Sequence, residues 1–215
     1  TLAVVSLQWI TVGYSLAFSP GSGPLAPFIG NLDWAFLKGV LVDPAGGFAV
    51  SPYFISQATA RVPHGAFMLF QMMFAVITPA LIIGAFAERM KFSAFLLFTV
   101  LWSFLVYDPV AHWVWSSTGW LANLGKFING LPGAVDFAGG IVVHVNAGIA
   151  ALVAAVMMGR RATLKSTMPH NLPFMVLGAG LLWFGWFGFN AGSALAADGL
   201  AVSAFIATNT AAAAA

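Results

Sequence analysis

One ionisable side chain sits where a bilayer would be. In DFAGGIVVHVNAGIAALVAAVMMGRR, residues 136–161, no Asp, Glu, Lys or Arg occurs between Phe137 and Gly159. A spanning helix needs about 20 mostly apolar residues, so the run is long enough to cross, and it contains His144. A neutral imidazole accepts a hydrogen bond at one nitrogen and donates at the other. That suits it to a small polar solute, or to a proton, in apolar surroundings. Ionisable groups inside spans are functional candidates by default; the structural alternative is a hydrogen bond to a neighbouring helix. Gly140, His144, Ala147, Ala151 and Ala155 recur three or four residues apart, which in an α-helix puts His144 in a stripe of small residues. Small residues let helices pack closely in lipid. His144 is therefore expected to face the protein interior rather than acyl chains.

The elements that must position this histidine are also apolar runs. Of the 215 residues, 60% are hydrophobic and 7% charged, against about one quarter charged in soluble domains. Mean hydropathy is +0.93. These values define an integral membrane protein. The formal net charge of +2 is too small and too scattered for a nucleic-acid surface. The absence of cysteine excludes disulfides and thiolate chemistry. Spans are expected at about 65–87, 93–116, 137–159 and 172–194, with the end of another at 1–18 and the start of a sixth near 198. Runs of this length exclude strands, and no period-two alternation points to a β-barrel. Thr1 and the closing TNTAAAAA both fall within apolar runs, so the chain is expected to be part of a longer membrane protein.

Basic residues orient the bundle. Arg89 and Lys91 in one short linker, with Arg160, Arg161 and Lys165 in another, make five of the eight Lys and Arg residues. Lys38, Arg61 and Lys126 are spread over the longer connections. The positive-inside rule puts the short linkers in the cytoplasm and the Gly/Pro-rich connections outside.

That topology places several side chains in one layer. At about 1.5 Å per residue, His144 lies about 10 Å below the outer edge, Phe74 about 12 Å and Phe189 about 7 Å. Trp115 and Ser193 sit above them at the outer ends of their spans. In GWFGFNAGS, Trp186, Phe189 and Ser193 share a helix face. Each residue also has a structural reading. Phe74 and Phe189 fill space in a chain with 20 Phe. Trp115 anchors in an aromatic belt. Ser193 bonds a carbonyl of its own helix. Asp136 caps the helix that follows. Asp108 and His112, beside a helix irregularity expected at Pro109, read as structural. No phosphate loop, HExxH motif or nucleophile–base spacing is present, so neither an enzyme nor a cofactor is expected. His112 and His144 on separate spans give little support to a metal site.

Taken together, DFAGGIVVHVNAGIAALVAAVMMGRR, FQMMFAVIT, GAFAERMKFSA, PVAHWVW, PHNLPF and GWFGFNAGS resemble the ammonium transporter family (Amt/MEP/Rh), in the family's order and closer to its bacterial Amt branch. The resemblance is weakest across 19–63. It implies an all-α polytopic membrane helix bundle of eleven helices, built from two inverted repeats plus a last helix. This chain, 1–215, would be a partial transmembrane domain covering about helices 2 to 7. It implies a homotrimer in the plasma (inner) membrane, contact with the lipid bilayer, and a possible PII-type regulator. By the same resemblance Trp115, Phe74 and Ser193 recruit ammonium, Phe74 and Phe189 form a gate, and His144 is the first of two pore histidines. Asp136 supports the recruitment site. The second histidine would belong to the other repeat.

Physics makes those roles coherent. Desolvating ammonium costs more than an apolar pore returns. Aromatic faces offer a cation about 0.5–2 kcal/mol, and a hydroxyl can accept one of its N–H bonds. Below the gate, neutral ammonia is the cheap species to move, with or without its proton. The expected function is therefore ammonium/ammonia transport. A membrane ammonium sensor is the alternative, which an attached cytoplasmic signalling domain would reveal. A pore for another small neutral solute is a further reading, which urea or glycerol permeation would reveal.

Overall fold

The computed structural model describes residues 1–42, 49, 62–161 and 170–215. The described residues are mostly helical and contain no strand. Arg61 and Lys165 of the orientation argument, and Pro169 of PHNLPF, lie outside them. Among the described residues four helices are long and apolar enough to cross a membrane: α2 (His64–Phe86), α3 (Phe92–Trp115), α4 (Gly140–Met158) and α5 (Leu172–Ala194). Shorter apolar helices stand before and after them, α1 (Leu2–Phe18) and α6 (Gly199–Ala214). This is the all-α polytopic bundle the apolar runs predict. The chain divides into two compact units, Thr1–Gly159 and Arg160–Ala215.

In the first unit α1 to α4 pack around aromatic side chains. Trp9 meets Tyr14, Phe18 and Tyr107 edge-on at centroid distances of 5.8, 6.1 and 6.0 Å. Edge-to-face pairs of this kind each add about 0.5–1.5 kcal/mol beyond burial. Three buried hydroxyls are satisfied within their own helices. Thr78 donates to the Phe74 carbonyl, Thr99 to Phe95 and Ser103 to Thr99, so the spans carry these polar groups without exposing them to hydrocarbon.

Three of the helices contain π-helical turns: Trp9–Gly13 in α1, Ser103–Tyr107 in α3 and Gly140–Val145 in α4. The second has a visible cause. Pro109 has no N–H to give the carbonyl four residues back, and the π turn lies over that position. The irregularity expected at Pro109 is therefore present. The other two turns contain no proline.

Arg89 fixes the far ends of two helices. Its guanidinium donates to the carbonyls of Ala85, at the end of α2, and Gly159, just past α4. A cation at two helix C-termini is favoured by the helix dipoles and meets carbonyls left without intrahelical partners. The shared arginine puts both C-termini at one end of the unit, as alternating spans require.

In the second unit α5 starts from an Asn171 side chain that accepts from the Phe174 N–H at 3.0 Å. It packs on α6 through stacked Phe187 and Phe205, 4.1 Å apart. Asn190 donates to the Thr208 hydroxyl at 2.8 Å, and the Trp183 indole donates to Asn209 at 3.2 Å.

Candidate functional site

Asp136 organises the end of the first unit at which α4 starts. Its Oδ1 accepts the N–H groups of Gly139 and Gly140 at 2.6 and 2.8 Å. Its Oδ2 accepts those of Ile141 and Val142 at 2.8 and 2.9 Å. One carboxylate thus takes the four donors that a helix start leaves without partners, at the positive end of the α4 dipole. The capping expected of Asp136 is present. It also moves the helix start: α4 begins at Gly140 rather than 137, because Phe137–Gly139 form the loop that carries the N–H groups back to the carboxylate.

Gly139 makes that loop possible. Its φ is +89°, and a Cβ there would stand 2.7 Å from Val143 Cγ2 and 3.4 Å from Phe74 Cδ1. A side chain would add the left-handed cost of about 1–2 kcal/mol to a collision beside Phe74. Gly140, next in sequence, has open space where its Cβ would lie. Gly139→Ala is therefore expected to lower the thermal midpoint by several degrees, while Gly140→Ala leaves it nearly unchanged. Thermal unfolding of the two variants in detergent checks this pair.

The Asp136 backbone carries the second half of the arrangement. Its carbonyl accepts the Trp115 indole N–H at 2.9 Å, which fixes the ring at the end of α3. Phe74 meets that ring edge-on, with centroids 5.4 Å apart and planes at 85°. Phe70 braces Phe74 from the same helix at 4.9 Å. Phe74 is buried and Trp115 half-buried, so Trp115 is the more accessible of the two rings. The structure thus brings Phe74, Trp115 and Asp136 together from α2, α3 and the head of α4.

His144 stands on α4 one turn below. The side of α4 buried in this unit carries Val142, Val143 and Ala147, whereas His144 is exposed. The predicted stripe assumed α-helical spacing from Gly140 onward. The π turn at Gly140–Val145 breaks that spacing, since residues five apart rather than three or four are stacked in it.

Phe189 and Ser193 belong to the second unit. Trp186 stacks on Phe189 at 4.4 Å and 19°, and the Ser193 hydroxyl donates to the Phe189 carbonyl at 2.7 Å. These contacts bear out the shared face of Trp186, Phe189 and Ser193. They also match the structural reading of Ser193, and with its proton committed there, the oxygen presents itself as an acceptor.

Two buried polar pairs were not legible in advance. His64 Nε2 and the Tyr14 hydroxyl are 2.7 Å apart, and Gln8 donates to Asp108 at 2.6 Å. Gln8, a polar residue inside an apolar run, was the available signal for the second. His112 keeps its structural reading. It is fully buried, with Nδ1 3.0 Å from the Ala17 carbonyl and Nε2 2.8 Å from that of Ala26. No group of His, Asp or Glu able to hold a metal occurs among the described residues.

These features define a multi-pass membrane protein with a capped, aromatic-lined end to its spans. The chain belongs to the ammonium transporter family, which it matches over residues 1–215. It is 53% identical over 214 residues to an ammonium transporter of Bacillus subtilis (strain 168), covering 100% of this chain and 47% of that protein. It is 47% identical over 226 residues to an ammonium transporter of Mycobacterium bovis, covering 100% of this chain and 46% of the relative. The crystal structure of Candida albicans Mep2 superimposes with a TM-score of 0.79 at 36% identity, over 97% of this chain and 42% of that one. The chain spans about half the length of the curated relatives it matches. The family is one of transporters, not of enzymes.

Proposed function

We propose that this chain contributes to a pathway for ammonium/ammonia across the plasma membrane. The observation that carries the reading is the Trp115–Phe74 pair hung on Asp136. An indole at the outer end of its span, held by its N–H, leaves its π face for a cation, an interaction worth about 0.5–2 kcal/mol. The buried Phe74 beside it supplies an apolar step that a hydrated ion does not enter cheaply. The family resemblance assigns Ser193 the role of a hydroxyl acceptor, and Phe74 and Phe189 that of gate residues. Below the gate the travelling species is ammonia, and His144 offers it a donor or acceptor, or carries the separated proton. Asp136 supports the site without touching the ion. A homotrimer in the membrane and a PII-type regulator are the assembly and partner the resemblance implies.

Trp115→Leu in the intact protein is the direct test. The variant is expected to shift the ammonium concentration giving half-maximal uptake, or to weaken selectivity against sodium, with little change in folding. Uptake indistinguishable from wild type across a concentration series would remove Trp115 from the site.

A further inference from the structure

The Gln8–Asp108 pair lies outside the arrangement of Trp115, Phe74 and Asp136 and plays no part in the proposed pathway. Asp108 has no exposed surface and Gln8 only 6%. Gln8 Nε2 donates to Asp108 Oδ2 at 2.6 Å. The two remaining oxygens, Asp108 Oδ1 and Gln8 Oε1, are both buried and receive no hydrogen bond. An ionised Asp108 would therefore sit within a span with a single donor for two charged oxygens, which is an expensive arrangement.

No neighbouring group repairs this. Helices α1 to α4 contain no Lys or Arg. His112, one turn further along α3, has its ring nitrogens against the carbonyls of Ala17 and Ala26 and the Thr118 hydroxyl. Tyr107 adjoins Asp108 on the same helix. On α1 the titratable group is Tyr14, paired with His64 at the start of α2. On α4 it is His144, with Asp136 committed to the helix start. Gln8 is the sole hydrogen-bond donor to Asp108 among the described residues.

We propose that Asp108 is a proton-binding site and forms a closed acid–amide pair with Gln8. A carboxylic acid and a primary amide each present one donor and one acceptor along an edge. Gln8 Nε2–H donates to Oδ2, as observed, and the acid O–H on Oδ1 donates to Oε1. The two atoms left without partners are the two that this second bond joins. The proton comes from water as the helices assemble, and the pair is neutral.

The backbone is shaped for it. Gln8 directly precedes the π turn of α1, and Asp108 directly follows that of α3. Gly13 lies under the amide: a Cβ there would stand 2.6, 2.7 and 2.9 Å from Gln8 Nε2, Oε1 and Cδ. Three nearly equal distances mean the carboxamide lies flat on Gly13, which fixes its edge toward Asp108.

The test is infrared spectroscopy of the intact protein in lipid at neutral pH. Wild type is expected to show a protonated-carboxyl C=O band above the amide I region that vanishes in Asp108→Asn. Asn can form the same two bonds as an amide–amide pair, so Asp108→Asn is expected to keep the wild-type thermal midpoint while Asp108→Ala loses it. Absence of the band, or Asn falling as far as Ala, would overturn the proposal in favour of a carboxylate neutralised by a bound cation. Gly13→Ala is a second, independent test of the pair. By tilting the amide it should shift the band upward, and an unmoved band would again refute the pair.

Discussion

Asp136→Ala is expected to cost the protein both its transport and much of its stability. The substitution leaves four N–H groups at the head of α4 without a partner. A capping residue lost at a water-exposed helix start costs about 0.5–2 kcal/mol, and hydrogen bonds to a charged group run at about 1.5–3 kcal/mol each. Four such bonds beside a membrane put this loss well above the ordinary cap value. The loop from Phe137 to Gly139 then has nothing to close on, and the carbonyl that holds Trp115 moves with it. Asp136→Asn provides a graded control. Its amide keeps one accepting oxygen, so two of the four N–H groups stay bonded. Thermal midpoints in detergent should fall in the order wild type, Asn, Ala, and uptake of labelled methylammonium should follow the same order. Equal stability of the three proteins would show that the carboxylate is not what holds this end together.

His144→Ala is expected to abolish transport, or to separate ammonium uptake from the movement of charge, while leaving the fold intact. His144 is exposed on α4, and the buried Val142, Val143 and Ala147 hold the helix in place without it. An alanine therefore leaves no cavity in this unit, and stability should change by less than about 1 kcal/mol, as for surface substitutions away from packed features. The loss is chemical: an apolar conduit without imidazole has no donor or acceptor for ammonia and no relay for its proton. Ammonium pulses on proteoliposomes, read as current on a solid support and as uptake in parallel, distinguish the outcomes. An unchanged current would remove the relay role, and unchanged uptake would remove His144 from the pathway altogether.

The spans were legible because membrane insertion imposes a strong and local rule. Helices α2, α3 and α5 start and end within about one residue of the apolar runs, since each run is bounded by charged residues, Gly or Pro. Asp136 as a cap was legible for the same reason, as an acceptor one short loop ahead of an apolar helix. The alignment of Gly140 with His144 was not, because it depends on a π turn for which Gly140–Val145 carries no compositional mark. Pro109 did mark the turn in α3. The Gln8–Asp108 pair was hidden by its separation of 100 residues, a distance over which sequence spacing is silent. Gly139 was visible only as one of two adjacent glycines. What singles it out is the Val143 and Phe74 side chains beyond its Cα.

The three π turns have a consequence for how such chains tolerate changes in length. Each behaves as one residue more than an α-helix needs over that stretch. Removing one residue from Ser103–Tyr107 would leave an uninterrupted apolar span, and a hydropathy profile would barely register it. The turn already absorbs that residue, so the helix would close up into regular α-helix, and the part beyond would turn by far less than the roughly 100° that the same deletion imposes on an α-helical stretch. Trp115 would still lie toward Phe74, and Asp108 toward Gln8. The extra residue works as slack in the helix, a place where the chain gains or loses one position without changing the face it shows its neighbours.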